Sequence, residues 1–243
     1  TLFVTEQCNS FCLMCSQPPR KINDEWRILE LHKLISLIDD NEEVLGMTGG
    51  EPTLLGTKLF NLINDCKSHL PNTGLHILTN GRKFQDEDFA NQALLVNHHD
   101  LFWGIPLYSD NPSIHDHVVQ AKNAFNETVA GIYNLQKKRQ KIEIRVVLHK
   151  LTIPRLCELA YYIFRNMPFV KHIALMGLEP MGFGKLNQEK LWIDPVDYAP
   201  ILEKAVYFLA NRGLNVSIYN NALCTMPQSL WPYCRKSISD WKN

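Results

Sequence analysis

The strongest constraint on this fold is a rhythm. A short apolar strand, a polar or Gly-rich loop and an amphipathic helix follow one another about six times along the 243 residues. The pattern predicts strands at 2–6, 44–48, 75–79, 101–107, 142–149 and 172–177. It predicts helices at 29–39, 57–69, 86–97, 123–138, 154–166 and 195–212, and a last strand at 214–219. A helix between successive strands is the connection that parallel strands require, and such crossovers are right-handed. The expectation is an α/β fold, parallel strands inside and helices outside, with a chain long and apolar enough for one large globular core. The alternation alone does not separate an open sheet from a barrel.

The strand at 142–149 bears on that choice. Ile142, Ile144, Val146 and Leu148 alternate with Glu143, Arg145, Val147 and His149. One set can face helices, and the other puts three polar side chains where a parallel sheet normally buries apolar ones. Either that face lines a lumen that holds something, or this is an edge strand with one wet side.

Composition removes several function classes. Twenty-five basic side chains balance twenty-five acidic ones, so no net field gathers nucleic acid or anionic lipid. The basic run Lys137, Lys138, Arg139, Lys141 suits a helix C-terminus and water. No stretch approaches the roughly 20 apolar residues of a membrane span, and no signal peptide opens the chain. A cytoplasmic address is expected. Seven cysteines, three of them within eight positions, fit a reducing compartment and a metal site better than a disulfide framework. Cys66 and Cys157, on helical patterns, read as packed small hydrophobes. The pairs His98, His99 and His115, His117 read as loop residues with surface or substrate-contacting roles. The abrupt start in a strand and the end at Asn243 suggest a segment of a longer protein.

The three early cysteines, Cys8, Cys12 and Cys15, form CxxxCxxC directly after the first strand, at the strand end where α/β folds place their chemistry. A closed zinc site wants four protein ligands, and the fourth is not nearby; His32 is a conceivable donor inside the first helix. A [4Fe-4S] cube usually takes four cysteines, so three leave one iron open for a substrate. After the second strand comes Gly49-Gly50-Glu51-Pro52. Two residues without Cβ let backbone approach a ligand, Pro52 fixes the turn, and carbonyls with Glu51 suit an ammonium group.

CxxxCxxC followed by this glycine turn resembles the radical S-adenosylmethionine (SAM) superfamily. The resemblance implies a partial (β/α)6 TIM-like barrel over residues 1–213, followed by a C-terminal extension at 214–243. It implies a [4Fe-4S] cluster on Cys8, Cys12 and Cys15, with the SAM amino and carboxylate groups on the open iron. Members usually carry an aromatic residue before the third cysteine, where this chain has Met14. Further positions where the family meets SAM are Asn80 in Thr79-Asn80-Gly81, Ser109 after Tyr108, Arg145 and Met176. Turn chemistry explains Asn80 and Ser109 equally well, and Arg145 is also placed for an ion pair with Glu143 or Glu179.

Within the superfamily, Val4-Thr5-Glu6-Gln7-Cys8-Asn9, Ser16-Gln17-Pro18-Pro19, Tyr219-Asn220-Asn221-Ala222 and Ser237-Ile238-Ser239-Asp240-Trp241-Lys242 resemble the His-Xaa-Ser system maturases. That likeness implies a ribosomally made peptide substrate and a second maturase subunit. Reductive SAM cleavage further implies a flavodoxin or ferredoxin as electron donor. Cys224 and Cys234 are either ordinary thiols or the first ligands of an auxiliary cluster. A radical SAM enzyme acting on a small metabolite or RNA, and a non-catalytic metal-binding module, are the alternatives.

Overall fold

The computed structural model describes residues 1–236; the 237–242 phrase of the maturase likeness lies outside them. The chain folds as two compact units, one of Thr1–Phe11, Gln17–Ile105 and Asn126–Ile142, the other of Cys12–Ser16, Pro106–Phe125 and Glu143–Asn243.

In the first unit, β1 (Leu2–Phe3), β2 (Val44–Thr48), β3 (Gly74–Leu78) and β4 (Leu101–Pro106, to Ile105) pair in chain order, all parallel. The intervening helices are α1 (Trp26–Ile35), α2 (Thr57–His69) and α3 (Glu87–Val96). Helix α2 buries Leu59, Phe60, Leu62, Ile63 and Cys66, the i, i+3, i+4, i+7 stripe that makes it a helix on a sheet. Burial pushes the Cys66 thiol up to about 12, as suits a packed small hydrophobe. Asp86 caps α3 by accepting from Asp88 N and Phe89 N. Phe84 sits edge-on to Trp103 at 4.8 Å between centroids and tilts against Phe89 at 5.2 Å.

In the second unit, β5 (Lys141–Leu148, from Glu143), β6 (His172–Gly177) and β7 (Val216–Tyr219) pair in parallel. Its helices are α4 (Pro112–Val119), α6 (Leu156–Asn166), α7 (Gly182–Leu186), α8 (Gln188–Leu191) and α9 (Pro195–Ala210), while α5 (Ala124–Lys137) belongs mostly to the first unit. Helix α6 buries Leu156, Leu159, Ala160 and Ile163, and α9 buries Ala199, Leu202, Ala205, Val206 and Leu209. Cys157 lies off the α6 stripe and is exposed, which corrects its reading as a packed residue.

The departures from the expected elements have local causes. Strand β1 is two residues long because Asp24 accepts from Thr5 Oγ1 and Glu6 N and turns the chain into a loop. Helix α1 starts and stops earlier than expected; Leu37 N and Ile38 N bond back to Leu34 O and Ile35 O, the tight turns that close a helix. Helix α4 lies where a loop was expected, although Asn111-Pro112 is a helix start: Asn111 Oδ1 accepts from Ser113 N and Ile114 N. His115 is consequently a buried α4 residue whose Nδ1 accepts from Tyr108 N at 3.2 Å. Strand β5 is no wet edge, since it pairs with β6 while Leu107 N donates to Arg145 O on its other side. Glu143 and His149 are both fully buried.

Leu202 packs with no exposed surface in the α9 face. Leu202→Ala should cost about 2–5 kcal/mol through transfer and cavity terms, read as a lower urea midpoint at unchanged m-value.

Candidate active site at the cysteine loop

Within the first unit, the loop after β1 is built onto the end of β2. Val4 N donates to Thr48 O, Gly50 N to Thr5 O at 2.7 Å, and Glu51 N to Gln7 O at 2.7 Å. The two glycines are required by this approach: a Cβ on Gly49 would lie 2.4 Å from Thr5 O, and one on Gly50 would lie 2.1 Å from Gln7 O. Gly49 also has φ +149°, which L side chains rarely adopt. The residues that Gly49 and Gly50 accommodate are thus those leading to Cys8.

Glu51 caps the short 3-10 turn Pro52–Leu55, with Pro52 buried at its start. Its side chain is fully buried, and its oxygens accept from Thr53 N at 3.0 Å, Thr53 Oγ1 at 2.6 Å, Thr79 Oγ1 at 2.5 Å and Asn80 N at 2.6 Å. Burial pushes its pKa above the usual carboxylate range while these donors pull it back. Glu51 therefore ties the glycine turn to the end of β3. The Asn80 side chain continues the tie, donating Nδ2 to Asn9 Oδ1 at 2.6 Å and accepting at Oδ1 from Arg82 N at 3.1 Å.

Four residues in this network gave no motif signal. Arg82 donates from Nη1 to Asn9 O at 2.7 Å and Ser10 Oγ at 3.2 Å, and from Nε to Glu127 Oε2 at 2.6 Å. Thr128 Oγ1 donates to Asn80 O at 3.0 Å. Helix α5 comes this close because Gly131 lacks a Cβ, which would lie 2.1 Å from Gly81 O.

Within the second unit, Cys15 N bonds to Cys12 O at 3.0 Å, Leu13 N to Val118 O at 2.9 Å, and Phe183 N to Cys15 O at 2.8 Å. Asn187 Nδ2 donates to Leu13 O at 2.9 Å. Met14 is 6 % exposed and packs in a cluster with Tyr108, Val118, Val119, Ala124 and Leu191. Gly184 lets α7 approach, since its Cβ would lie 2.7 Å from Glu179 O and 3.4 Å from Met14 O.

Elsewhere in this unit Arg145 pairs with Glu143 at 2.7 Å and donates from Nη2 to Met176 Sδ at 3.0 Å. His172 Nδ1 meets the other Glu143 oxygen at 2.7 Å, and its Nε2 meets Ser217 Oγ at 2.9 Å. Of the two ion pairs that the sequence allows for Arg145, this is the Glu143 one. Ser109 is buried in a turn, where Oγ accepts from Asn111 N at 3.1 Å. The neighbouring Asp110 is held well below its usual range by the two-pronged Arg155 guanidinium, at 2.8 and 2.6 Å. His149 accepts at Nδ1 from Leu151 N at 3.2 Å, so its proton sits on Nε2, a buried donor with no partner among the described residues. Burial lowers its pKa to about 4.

The three loop cysteines are half-buried. Ser10 N donates to Cys8 Sγ at 3.4 Å, the kind of bond that stabilises a thiolate and tunes a cluster sulfur. Among the described residues no three His, Cys, Asp or Glu side chains are gathered to hold a single metal ion. The donor set, three thiols on an eight-residue loop, fits a multi-iron cluster, whose ligands each take a different iron. Cys224 is exposed; Cys234 is half-buried, with its thiol donating to Leu230 O at 3.5 Å.

A family model described as the Radical SAM superfamily matches residues 2–160. Among solved structures, Streptococcus suis SuiB bound to S-adenosylmethionine is similar over 97 % of this chain and 52 % of its own, at 16 % identity and TM-score 0.68. SuiB bound to the precursor peptide SuiA matches over 90 % of this chain and 48 % of its own, at 17 % identity and TM-score 0.66. Native anSMEcpe with bound AdoMet and Cp18Cys peptide matches over 88 % and 61 %, at 17 % identity and TM-score 0.66. The α/β fold is therefore shared with these proteins, and the chain spans about half the length of SuiB. No curated protein sequence matches it. Among the described residues no helix is long and apolar enough to cross a membrane.

Two outcomes follow from the geometry. Gly50→Ala should distort the Cys8 loop and lower stability by about 2 kcal/mol or more, seen as a reduced thermal midpoint. For His149, the folded pKa near 4 lies below the ordinary 6.5, so the unfolded chain binds the proton first as pH falls. Stability from this group is intact above pH 6.5 and is lost progressively down to about 4. Unfolding free energies measured across that window should fall less steeply in His149→Leu than in the parent.

Proposed function

Because the chain belongs to the radical SAM superfamily, whose model covers residues 2–160, we propose that it is a radical SAM enzyme acting on a peptide. Its cofactors are those of the superfamily, a [4Fe-4S] cluster and SAM. Bound together and given one external electron, they supply scission of the sulfonium C–S bond and a 5′-deoxyadenosyl radical able to take hydrogen from an unactivated carbon.

The observation that carries this reading is the cysteine loop itself: three cysteines at CxxxCxxC spacing, their backbone held from both of its ends. Cys8, Cys12 and Cys15 would hold three irons as thiolates and leave the fourth without a protein donor. Gly49, Gly50, Glu51 and Pro52 set the loop's path. Glu51, with its oxygens already taken, acts through Thr79 and Asn80 rather than by offering its own carboxylate. Arg145 and Met176, both part-buried and already joined, are the pair we assign to the SAM carboxylate and adenosyl side. Met14, Asn80 and Ser109 are the remaining positions that the resemblance assigns to SAM, and their polar or apolar surface is largely engaged within the protein.

A peptide substrate is supported by the SuiA and Cp18Cys complexes of the similar structures and by the likeness to His-Xaa-Ser maturases. With that likeness come a second maturase subunit, a flavodoxin or ferredoxin reductant and a reducing, cytoplasmic setting. The seven cysteines, three of them crowded into eight positions, suit such a setting.

Anaerobic reconstitution with iron and sulfide, then incubation with dithionite and SAM, should yield 5′-deoxyadenosine. Cys8→Ala, Cys12→Ala and Cys15→Ala should each reduce the yield at least about 100-fold. One zinc per chain without a brown chromophore, or SAM scission that survives loss of any of these thiols, would refute the assignment. Added peptide, and not RNA, should raise turnover.

A further inference from the structure

Cys8 carries its sulfur on a segment that makes no regular secondary structure. Some other part of the first unit must therefore fix Asn9 and Ser10. The groups that do so are polar and directional. Arg82 Nη1 donates to Asn9 O at 2.7 Å and to Ser10 Oγ at 3.2 Å, while its Nε is taken by Glu127 Oε2 at 2.6 Å. Ser10 in turn points its N–H at Cys8 Sγ, at 3.4 Å. Asn80 Nδ2 holds the Asn9 side chain from the same direction.

Three features separate this clamp from an ordinary surface ion pair. The Arg82 and Glu127 side chains are only 14 % and 19 % exposed, so the pair is shielded from the screening that makes exposed pairs worth little. The guanidinium uses its fork to span two partners in different elements, α5 and the cysteine loop, which a lysine ammonium cannot reproduce with fixed geometry. Its acceptors on the loop are a backbone carbonyl and a hydroxyl one and two residues from Cys8, so the contact acts on the ligand's backbone and not on its sulfur.

We infer that Arg82, braced by Glu127, is a positioning residue for Cys8: it fixes the Asn9–Ser10 segment, whose Ser10 N–H bonds the Cys8 sulfur. Its positive charge also lies beside the ligand-bearing loop, where net charge and hydrogen bonds to sulfur set how readily a cluster is reduced. The inference rests on the proposed cluster for its functional meaning, but the clamp itself is a property of the protein alone.

The test reads these two levels separately. In the metal-free protein, hydrogen exchange of the Asn9, Ser10 and Phe11 amides should be at least about 10-fold faster in Arg82→Gln than in the parent. Exchange in the α9 helix of the second unit should stay unchanged. In the reconstituted protein, Arg82→Gln should release iron to a chelator at least about 10-fold faster and show a lower midpoint potential, with altered g-values in the reduced EPR spectrum. Glu127→Gln should fall between in loop exchange and iron release, because Arg82 keeps its charge but loses its brace. Arg82→Lys should restore much of the potential and little of the iron retention. If Arg82→Gln does not fold, Glu127→Gln and Arg82→Lys carry the same comparison.

Unchanged loop exchange together with parental iron retention overturns the inference. A parent chain that takes up no cluster overturns the proposed function instead, and the exchange measurement then still decides whether the clamp exists.

Discussion

Two backbone hydrogen bonds decide the geometry of everything at the strand ends of the first unit: Gly50 N to Thr5 O and Glu51 N to Gln7 O. They extend the β1–β2 pairing past the point where β1 has ceased to be a strand. This close approach leaves no room for a Cβ at Gly49 or Gly50. Through it, the glycine turn and the cysteine loop behave as one object, and Glu51 then extends that object to β3. A fully buried carboxylate is costly unless its lone pairs are used. Here four donors converge on it, and three of them belong to the segments being joined, Thr79 and the turn residue Thr53. The fourth, Asn80 N, starts the loop that leads to Arg82.

The second unit solves a similar problem with a different device. Its polar chain Arg145, Glu143, His172, Ser217 crosses β5, β6 and β7 on one face. Glu143 and His172 are opposite each other in the parallel register, so the alternation of β-strands places their side chains on the same side. Such buried charge is not a source of stability compared with an apolar pair of equal volume, because desolvation offsets the Coulomb gain. What it supplies is orientation: a guanidinium held at one end by Glu143 has its fork direction fixed, and its other end reaches Met176. A flexible arginine at the same place would lose rotamer entropy on meeting a ligand.

How far this was legible in the sequence depends on the range over which each signal acts. The strand and helix order could be read because burial imposes its period locally: the α2 stripe Leu59, Phe60, Leu62, Ile63, Cys66 is visible without knowing its partner. The cysteine spacing was legible for the same reason. Helix α4 was not seen, although Asn111-Pro112 is a local start signal, because it falls inside a stretch whose histidines suggested a loop. His115 is buried there by contact with Tyr108, and no residue near it in sequence announces that. Arg82 and Glu127 are 45 positions apart. Their pairing exists only after α5 has come down against Gly81, an approach that depends on one missing methyl group at Gly131.

The glycine turn shows how a motif can carry a structural constraint besides the one its sequence suggests. From the sequence, paired glycines beside a cluster loop suggest space left for a ligand. In the structure that space is filled by Thr5 O and Gln7 O, at distances that exclude any side chain. The two explanations differ in what they demand of the protein without cofactors. Space for a ligand predicts that a small side chain disturbs binding and leaves the empty protein intact. Space for the protein's own backbone means the same substitution strains the chain whether or not anything is bound, since the clash is with residues that are always present. Glycine is required here by the fold itself, and the turn takes its shape from a packing constraint between two pieces of main chain.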